Sequence, residues 1–314
     1  MRCYPLIYAS GARIRRRRGR GAIMQEGAVR LLSTVVGTAP DAFRIELFGE
    51  DCGDIYPGMK RYRILITRNE EVVYVYTSNS YEFPPDALLH AEETAKAMFH
   101  RLAGDVARHP ERYLTRRPSA AMRGTKITAD AVILQGSPRR HGNSAILAAW
   151  CADACTAINR TSHIFYLQEM RIAACTGCYA CYNEGYCPTD DDMPAILNAV
   201  EHASLLVICS PVYTNTVPAG LKCVIDRFQA LHARRSMTGA PAAGTGLLIA
   251  VAGRRGREHF DCVGKVTRAC MQNIGIAPAE EILIDGIDEI RDVRLIPDLE
   301  AGVKSAVRSL LKPA

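Results

Sequence analysis

Residues 131–144 read AVILQGSPRRHGNS: a short apolar run, Ala131 to Gln135, leads straight into Gly136-Ser137-Pro138-Arg139-Arg140-His141-Gly142-Asn143-Ser144. A helical pattern follows at once, with Ile146, Leu147, Trp150, Cys151 and Ala154 spaced to face inward. A strand that feeds a loop and then a helix is the opening unit of an open α/β sheet. At that junction the sheet offers an anion backbone N–H groups and the positive end of the helix dipole. Gly136 and Gly142 permit close backbone approach, Ser137, Asn143 and Ser144 add donors, and Arg139 adds charge. The spacing is neither G-x-G-x-x-G nor G-x-x-x-x-G-K-[ST], which counts against a dinucleotide fingerprint and against a P-loop. The plainer alternative is a strand–turn–helix whose arginines simply face solvent.

Working outward, the chain after Asp130 alternates apolar strands with amphipathic helices, which calls for a parallel sheet covered on both faces. Strands are expected at Ala131–Gln135, His163–Leu167, Leu205–Cys209, Gly246–Val251 and Glu281–Ile284. Helices are expected at Ser144–Ala157, Met193–Glu201, Ala219–Leu231, Phe260–Ile274 and Asp298–Leu311. Five strands in this order suit a flavodoxin-like, doubly wound sheet. In such a sheet the loops after strands one and three flank the ligand crevice. The second of these reads Ser210-Pro211-Val212-Tyr213-Thr214-Asn215-Thr216-Val217-Pro218 and can line a flat ring, although Tyr213 taken alone fits a core or surface role equally well. Ala252-Gly253-Arg254-Arg255-Gly256, after strand four, supplies a third wall or a solvated turn.

Between strand two and the helix near Met193 lies a loop, residues 175–187, that reads CTGCYACYNEGYC and is followed by Pro188. Three cysteines at C-x2-C-x2-C, with a fourth soon after and then proline, resemble the way bacterial ferredoxin segments wrap a cluster. Structural zinc sites tend instead to pair two C-x2-C knuckles across a longer gap. A reduced, thiol-rich lid over the crevice is the other reading. Thr189 to Asp192 read as a helix cap with acids in the first turn.

The whole-chain numbers narrow the class. At 314 residues, with 48% apolar and 23% charged residues, the chain is long enough for two globular domains. Its net charge of +6 is local: residues 1–23 hold seven arginines and no acid, so the remainder carries −1. Nucleic acid is therefore not an expected partner of the body of the protein. Nor is membrane, since no apolar run approaches the roughly 18–20 residues needed to cross a bilayer. With no h-region at the start and with cysteines scattered through apolar segments, as at Cys209 and Cys223, the expected location is cytoplasmic.

Residues 1–23 read as a basic disordered arm, a transit peptide, or sequence upstream of a true start at Met24; the last is favoured because a transit peptide should be Ser-rich and this stretch holds only Ser10. Residues 24–109 read as a small α+β domain. FRIELF, YRILIT and VVYVYT have strand composition, and Arg68-Asn69-Glu70-Glu71 suits a hairpin connection. A helix carrying Leu88, Ala91, Ala95, Met98, Phe99, Leu102 and Val106 follows Pro84-Pro85-Asp86. Residues 110–129 read as a linker, and 130–314 as the flavodoxin-like domain.

Taken together, GSPRRHGNS, CTGCYACYNEGYCPTDDDM and SPVYTNTVPAGLKCVIDRF resemble the iron–sulfur flavoprotein family within the NAD(P)H-dependent FMN reductase group, from about Ala131 onward. The resemblance implies FMN phosphate contacts at Ser137, Arg139, Asn143 and Ser144. It implies ring contacts at Pro211, Val212, Tyr213, Thr214 and Asn215, and a [4Fe–4S] cluster on Cys175, Cys178, Cys181 and Cys187. It also implies a homodimer or higher homo-oligomer that takes electrons from ferredoxin or NAD(P)H. AGRRGREHF departs from the glycine-rich run of the family after strand four, and short family members have no counterpart of residues 24–108. The expected function is an FMN-dependent iron–sulfur oxidoreductase. The alternatives are a cluster-free NAD(P)H-dependent FMN or quinone reductase and a non-catalytic zinc- or cluster-bearing regulator.

Overall fold

The computed structural model describes residues 27–38, 41–114, 127–240 and 244–311. The basic arm and most of the 110–129 linker lie outside these residues. The chain divides into two compact units, and the division does not follow chain order. Among the described residues the first unit takes in 27–114 together with Gly177–Tyr186 and Ser236–Gly239, and the second takes in the rest.

The first unit is an antiparallel meander of β1 (Val29–Val36), β2 (Phe43–Asp51), β3 (Lys60–Arg68) and β4 (Glu71–Asn79), followed by α1 (Ala91–Arg108). The connection between β3 and β4 is a two-residue turn in which Asn69 and Glu70 have φ of 49° and 65° and Arg68 pairs with Glu71. Two positive φ angles are what a type I′ hairpin requires. Alternate residues Phe43, Ile45 and Leu47 of β2 and Tyr62, Ile64 and Ile66 of β3 face Ala91, Ala95, Phe99, Leu102 and Val106 of α1. The helix starts later than its apolar spacing predicts, at Ala91 behind His90, and Leu88 is left fully exposed. β1 is an addition to the sequence reading. The 110–129 stretch begins inside this unit, where Pro110–Tyr113 forms a 3-10 turn and the Tyr113 hydroxyl donates to Asp105 at 2.7 Å.

The second unit follows the expected alternation: β5 (Ala131–Gln135), α2 (Asn143–Thr156) and β6 (Ser162–Tyr166) come first. The short α3 (Cys181–Glu184) lies in the excursion that belongs to the first unit. Then come α4 (Met193–His202), β7 (Leu205–Pro211), α5 (Ala219–Arg227), α6 (Gln229–Thr238), β8 (Thr245–Val251), α7 (Asp261–Asn273), β9 (Ala277–Ile284), α8 (Ile287–Ile290) and α9 (Leu299–Leu311). The predicted helix over 219–231 is two helices, parted at Phe228.

The sheet order is β6-β5-β7-β8-β9, all parallel, so the chain steps outward in one direction and then reverses across β5. This is the flavodoxin-like order with its switch point between β5 and β7. One face packs Leu147, Trp150, Cys151 and Ala154 of α2 and Val303 and Val307 of α9 against Ile133, Val207 and Ile249. On the other face, Gly246 lies so close to Met271 of α7 that an added Cβ would collide with its sulfur.

Candidate functional site

The loop after β5 is held from within. The Arg139 N–H donates to Ser137 Oγ at 3.1 Å, while Gln135 Nε2 donates to the Arg139 carbonyl at 3.3 Å and Gly142 N–H to the same carbonyl at 3.2 Å. Ser137 Oγ, used here as an acceptor, keeps its proton free to donate. Gly136 has no room for a side chain, since a Cβ there would meet Leu221 Cδ2 at 2.7 Å. α2 starts at Gly142 with no side-chain cap and no acid in its first turn. Its leading N–H groups and its dipole are therefore left for an external anion. Ser137 and Ser144 are buried beside it, Arg139 is exposed, and Gln135 Oε1 is a buried acceptor without a partner among the described residues.

Asn143 is placed differently from its neighbours. Its Nδ2 donates to the Arg291 carbonyl at 3.0 Å and its Oδ1 accepts from the Val293 N–H at 3.0 Å. The carboxamide thus latches the start of α2 to the segment after α8, and what Asn143 leaves toward the loop is its backbone N–H.

The loop after β7 is a miniature hairpin. Tyr213 and Thr216 exchange backbone hydrogen bonds at 2.8 and 2.9 Å, with Thr214 and Asn215 at φ of 48° and 58° between them. For β-branched Thr214 a left-handed backbone is strained, which is a feature of ligand-facing turns. Tyr213 is exposed, and Asn215 Oδ1 lies 3.4 Å from His259 Nδ1. Three loops rise side by side, because Gly136 N–H donates to the Cys209 carbonyl at 2.9 Å and Val212 N–H to the Val251 carbonyl at 2.8 Å. In the third, Arg255 is committed to Glu289 at 2.7 Å and Gly256 N–H to Asp285 at 2.7 Å.

The cysteine segment is braced at both ends within the second unit. Arg227 and Asp191 form a buried pair whose side chains are 1% and 2% exposed, joined by bonds of 2.7 and 3.1 Å. The same Asp191 accepts from the Ala173 N–H at 2.9 Å and the Met193 N–H at 3.1 Å, and Arg227 donates to the Ala173 carbonyl at 2.9 Å. Asp192 accepts from the Arg171 N–H at 2.7 Å. Burial works against ionisation of Asp191, but Arg227 and the two N–H groups outweigh it and hold the carboxyl below its ordinary 3.8. The acids expected to cap α4 thus mainly stitch the approach to the segment to its exit. The middle of the segment packs in the first unit. Cys175 and Cys178 are exposed, Cys187 is half-buried and Cys181 is buried. Among the described residues no three His, Cys, Asp or Glu side chains meet as a metal ion needs.

An open parallel sheet with its switch crevice walled by an uncapped helix N-terminus and a strained turn places this unit in the flavodoxin-like fold class. Residues 129–262 match the family model for NADPH-dependent FMN reductase. The chain is 33% identical over 115 residues to an iron–sulfur flavoprotein of Methanocaldococcus jannaschii, covering 35% of this chain and 60% of that one. It is 30% identical to an iron–sulfur flavoprotein of Archaeoglobus fulgidus over 35% of this chain and 50% of the other. It is 28% identical to one of Methanosarcina thermophila over 30% and 49%. The chain thus spans about half the length of the curated relatives it matches. A solved NAD(P)H:quinone oxidoreductase from Methanothermobacter marburgensis superposes with a TM-score of 0.43 at 17% identity, over 60% of this chain and 98% of that one.

Several residues that shape the site carry no sequence signal of their own. Gln135 reads as the last strand residue, Arg227 as one polar position of an amphipathic helix, and Asp191 as one of three consecutive acids. Only their partners, 4, 36 and 54 residues away along the chain, reveal what they do.

Proposed function

We propose that the chain is an FMN-dependent oxidoreductase. The observation that carries this reading is the uncapped start of α2 at the sheet's switch point, inside the stretch that matches the FMN reductase family. In this reading the N–H groups of Asn143 and Ser144, the Ser137 hydroxyl and the Arg139 guanidinium hold the phosphate. Residues Pro211 to Asn215 border the ring, while Asn143 fixes the loop through its latch to 291–293. Bound FMN supplies the exchange between two-electron and one-electron chemistry, and the chain positions and tunes it.

The finer reading is a [4Fe–4S] cluster on Cys175, Cys178, Cys181 and Cys187, with electrons supplied by ferredoxin or NAD(P)H to a homo-oligomeric protein. It is supported by the C-x2-C-x2-C-x5-C spacing and by the names of the archaeal relatives. The test is FMN, iron, sulfide and zinc per chain in protein purified without air, followed by reduction with NADH, NADPH or ferredoxin. Stoichiometric FMN with iron and sulfide in cluster ratio is the expected result. FMN without iron after reconstitution would select the cluster-free FMN or quinone reductase, and zinc without flavin would select the regulator.

A further inference from the structure

The first unit puts an antiparallel sheet to an unusual use. α1 covers the face that carries Phe43, Ile45, Leu47, Tyr62, Ile64 and Ile66. The opposite face of such a sheet is ordinarily solvated and tolerates polar residues because water satisfies them. Here that face carries Glu50, Arg61 and Arg63, each 3% exposed, and β4 ends in Asn79 at 0%. Glu50 and Arg61 are cross-strand partners joined at 2.5 Å. The middle of the cysteine segment, with Met237 near the end of α6, meets the arginines and Asn79 of this face.

The contacts are specific and dense. Arg61 Nη1 donates to the Tyr182 carbonyl at 3.0 Å and Arg63 Nη2 to the Asn183 carbonyl at 3.2 Å. Asn79 Nδ2 donates to the Asn183 Oδ1 at 2.8 Å and to the Tyr179 carbonyl at 3.1 Å. Asn183 Nδ2 returns to the Thr77 carbonyl at 3.3 Å and to the Glu82 carboxyl. Glu184 accepts from the Thr77 hydroxyl at 2.5 Å. Tyr56 and Tyr81 pack against Tyr179, and Tyr56 also against Tyr182, with ring centroids 5.0 to 5.5 Å apart, and the Tyr56 and Tyr179 hydroxyls lie 3.3 Å from each other.

The segment could not hold this shape unaided. α3 has four residues, too few to repay the cost of nucleating a helix, so its geometry is imposed from outside. Tyr179, between the second and third cysteines, sits at φ 55°, a conformation an aromatic residue keeps only when its surroundings over-determine it. Asn79 on its carbonyl and three tyrosine rings around its side chain do so. The turn so fixed leaves Cys178 exposed on one side and Cys181 buried on the other.

We propose that the second face of the N-terminal sheet is a holder for the cysteine segment, with Asn79, Arg61 and Asn183 as its positioning residues, and that it makes Cys178 and Cys181 chemically unequal. Cys178 is the thiol that meets a soft electrophile or a soft metal ion arriving from solvent, and Cys181 is reached only when the clasp opens. This role needs no cluster and gives residues 27–114 a function on the same chain rather than a separate ligand.

The experiment is timed alkylation of the full chain by iodoacetamide after chelation of any metal, read cysteine by cysteine by mass spectrometry, with amide hydrogen exchange over 177–186 alongside. In the wild type Cys178 should label at least about tenfold faster than Cys181, as opening the clasp costs one or more buried hydrogen bonds. Asn79→Ala should shrink that gap by about tenfold and speed exchange over 177–186, with exchange in β5 and α2 unchanged. Asn183→Ala removes the other half of the clasp without touching the sheet and should do the same, which keeps the test open if Asn79→Ala fails to fold. Equal labelling of the two thiols in the wild type, or an unchanged gap in a folded variant, would overturn the proposal. Iron and sulfide content is measured separately on untreated protein, so failure of the cluster reading leaves this result standing.

Discussion

Asp191→Asn should be among the most damaging single-atom changes available in the flavodoxin-like unit. The Arg227 and Asp191 side chains are buried together, and Asp191 accepts four hydrogen bonds, two from Arg227 and one each from the Ala173 and Met193 N–H groups. The amide keeps the shape but leaves a guanidinium with 1% exposure without its counter-charge. It also turns one acceptor atom into a donor facing N–H groups. Removing one partner of a buried pair costs about 3–5 kcal/mol, because the remaining charge stays desolvated. At roughly 2–4 °C per kcal/mol for a unit of this size, the melting temperature should fall by about 6–20 °C. Thermal and urea unfolding would measure this, with hydrogen exchange over 171–175 and 187–193 reporting whether the two ends of the cysteine segment come unstitched. The double change Arg227→Met with Asp191→Leu should recover much of the loss, since replacing both charges by apolar groups is often neutral or stabilising. A loss below about 1 kcal/mol for Asp191→Asn would refute the claim that this pair braces the segment.

Arg139→Ala should weaken FMN by about 1.5–3 kcal/mol, the scale of a hydrogen bond to a charged group, and leave riboflavin binding unchanged; equal loss of both ligands by fluorescence titration would show that the arginine does not read the phosphate. Gly136→Ala should destabilise the second unit by about 1–3 kcal/mol and lower FMN occupancy, because its Cβ would stand 2.7 Å from Leu221 Cδ2; unfolding midpoints and flavin content are the readouts. Burial pushes the Glu82 carboxyl above its ordinary 4.5 despite bonds from Asn183, Asn79 and Ser78. The folded first unit therefore holds that proton longer than the unfolded chain does, and its stability should decline as pH rises from 4.5 through the raised value. Glu82→Gln should flatten this decline in a series of unfolding curves, and an unaltered pH profile would assign it to another group.

The flavodoxin-like sheet is legible in the residue order because its strands are buried on both faces. AVILQ, LLVICS and GLLIAV stand as apolar runs between loops, and right-handed crossovers leave few ways to order them. The phosphate loop is legible for a related reason: a strand end, its glycines and a helix start are local features, all within 131–144. β1 escaped because VRLLSTVV is an edge strand whose burial alternates from Leu31 to Val36 while its hydropathy does not: apolar Leu31 and Val35 are exposed and polar Thr34 is half-buried, so no two-residue apolar period marks it. The break at Phe228 escaped because the apolar spacing of the two helices runs on across it. The cysteine segment shows most sharply what tertiary structure alone decided. Its spacing is a one-dimensional fact and can be read from the chain. Which thiols are covered depends on Asn79 meeting Asn183 across 104 residues and on Arg61 meeting Tyr182 across 121, and the bracing of its ends depends on Asp191 meeting Arg227 across 36. A buried asparagine, arginine or aspartate looks the same in sequence as an exposed one. Only the fold determines whether water or a distant backbone carbonyl satisfies it, because its hydrogen bonds are directional and its partners are brought within reach by topology.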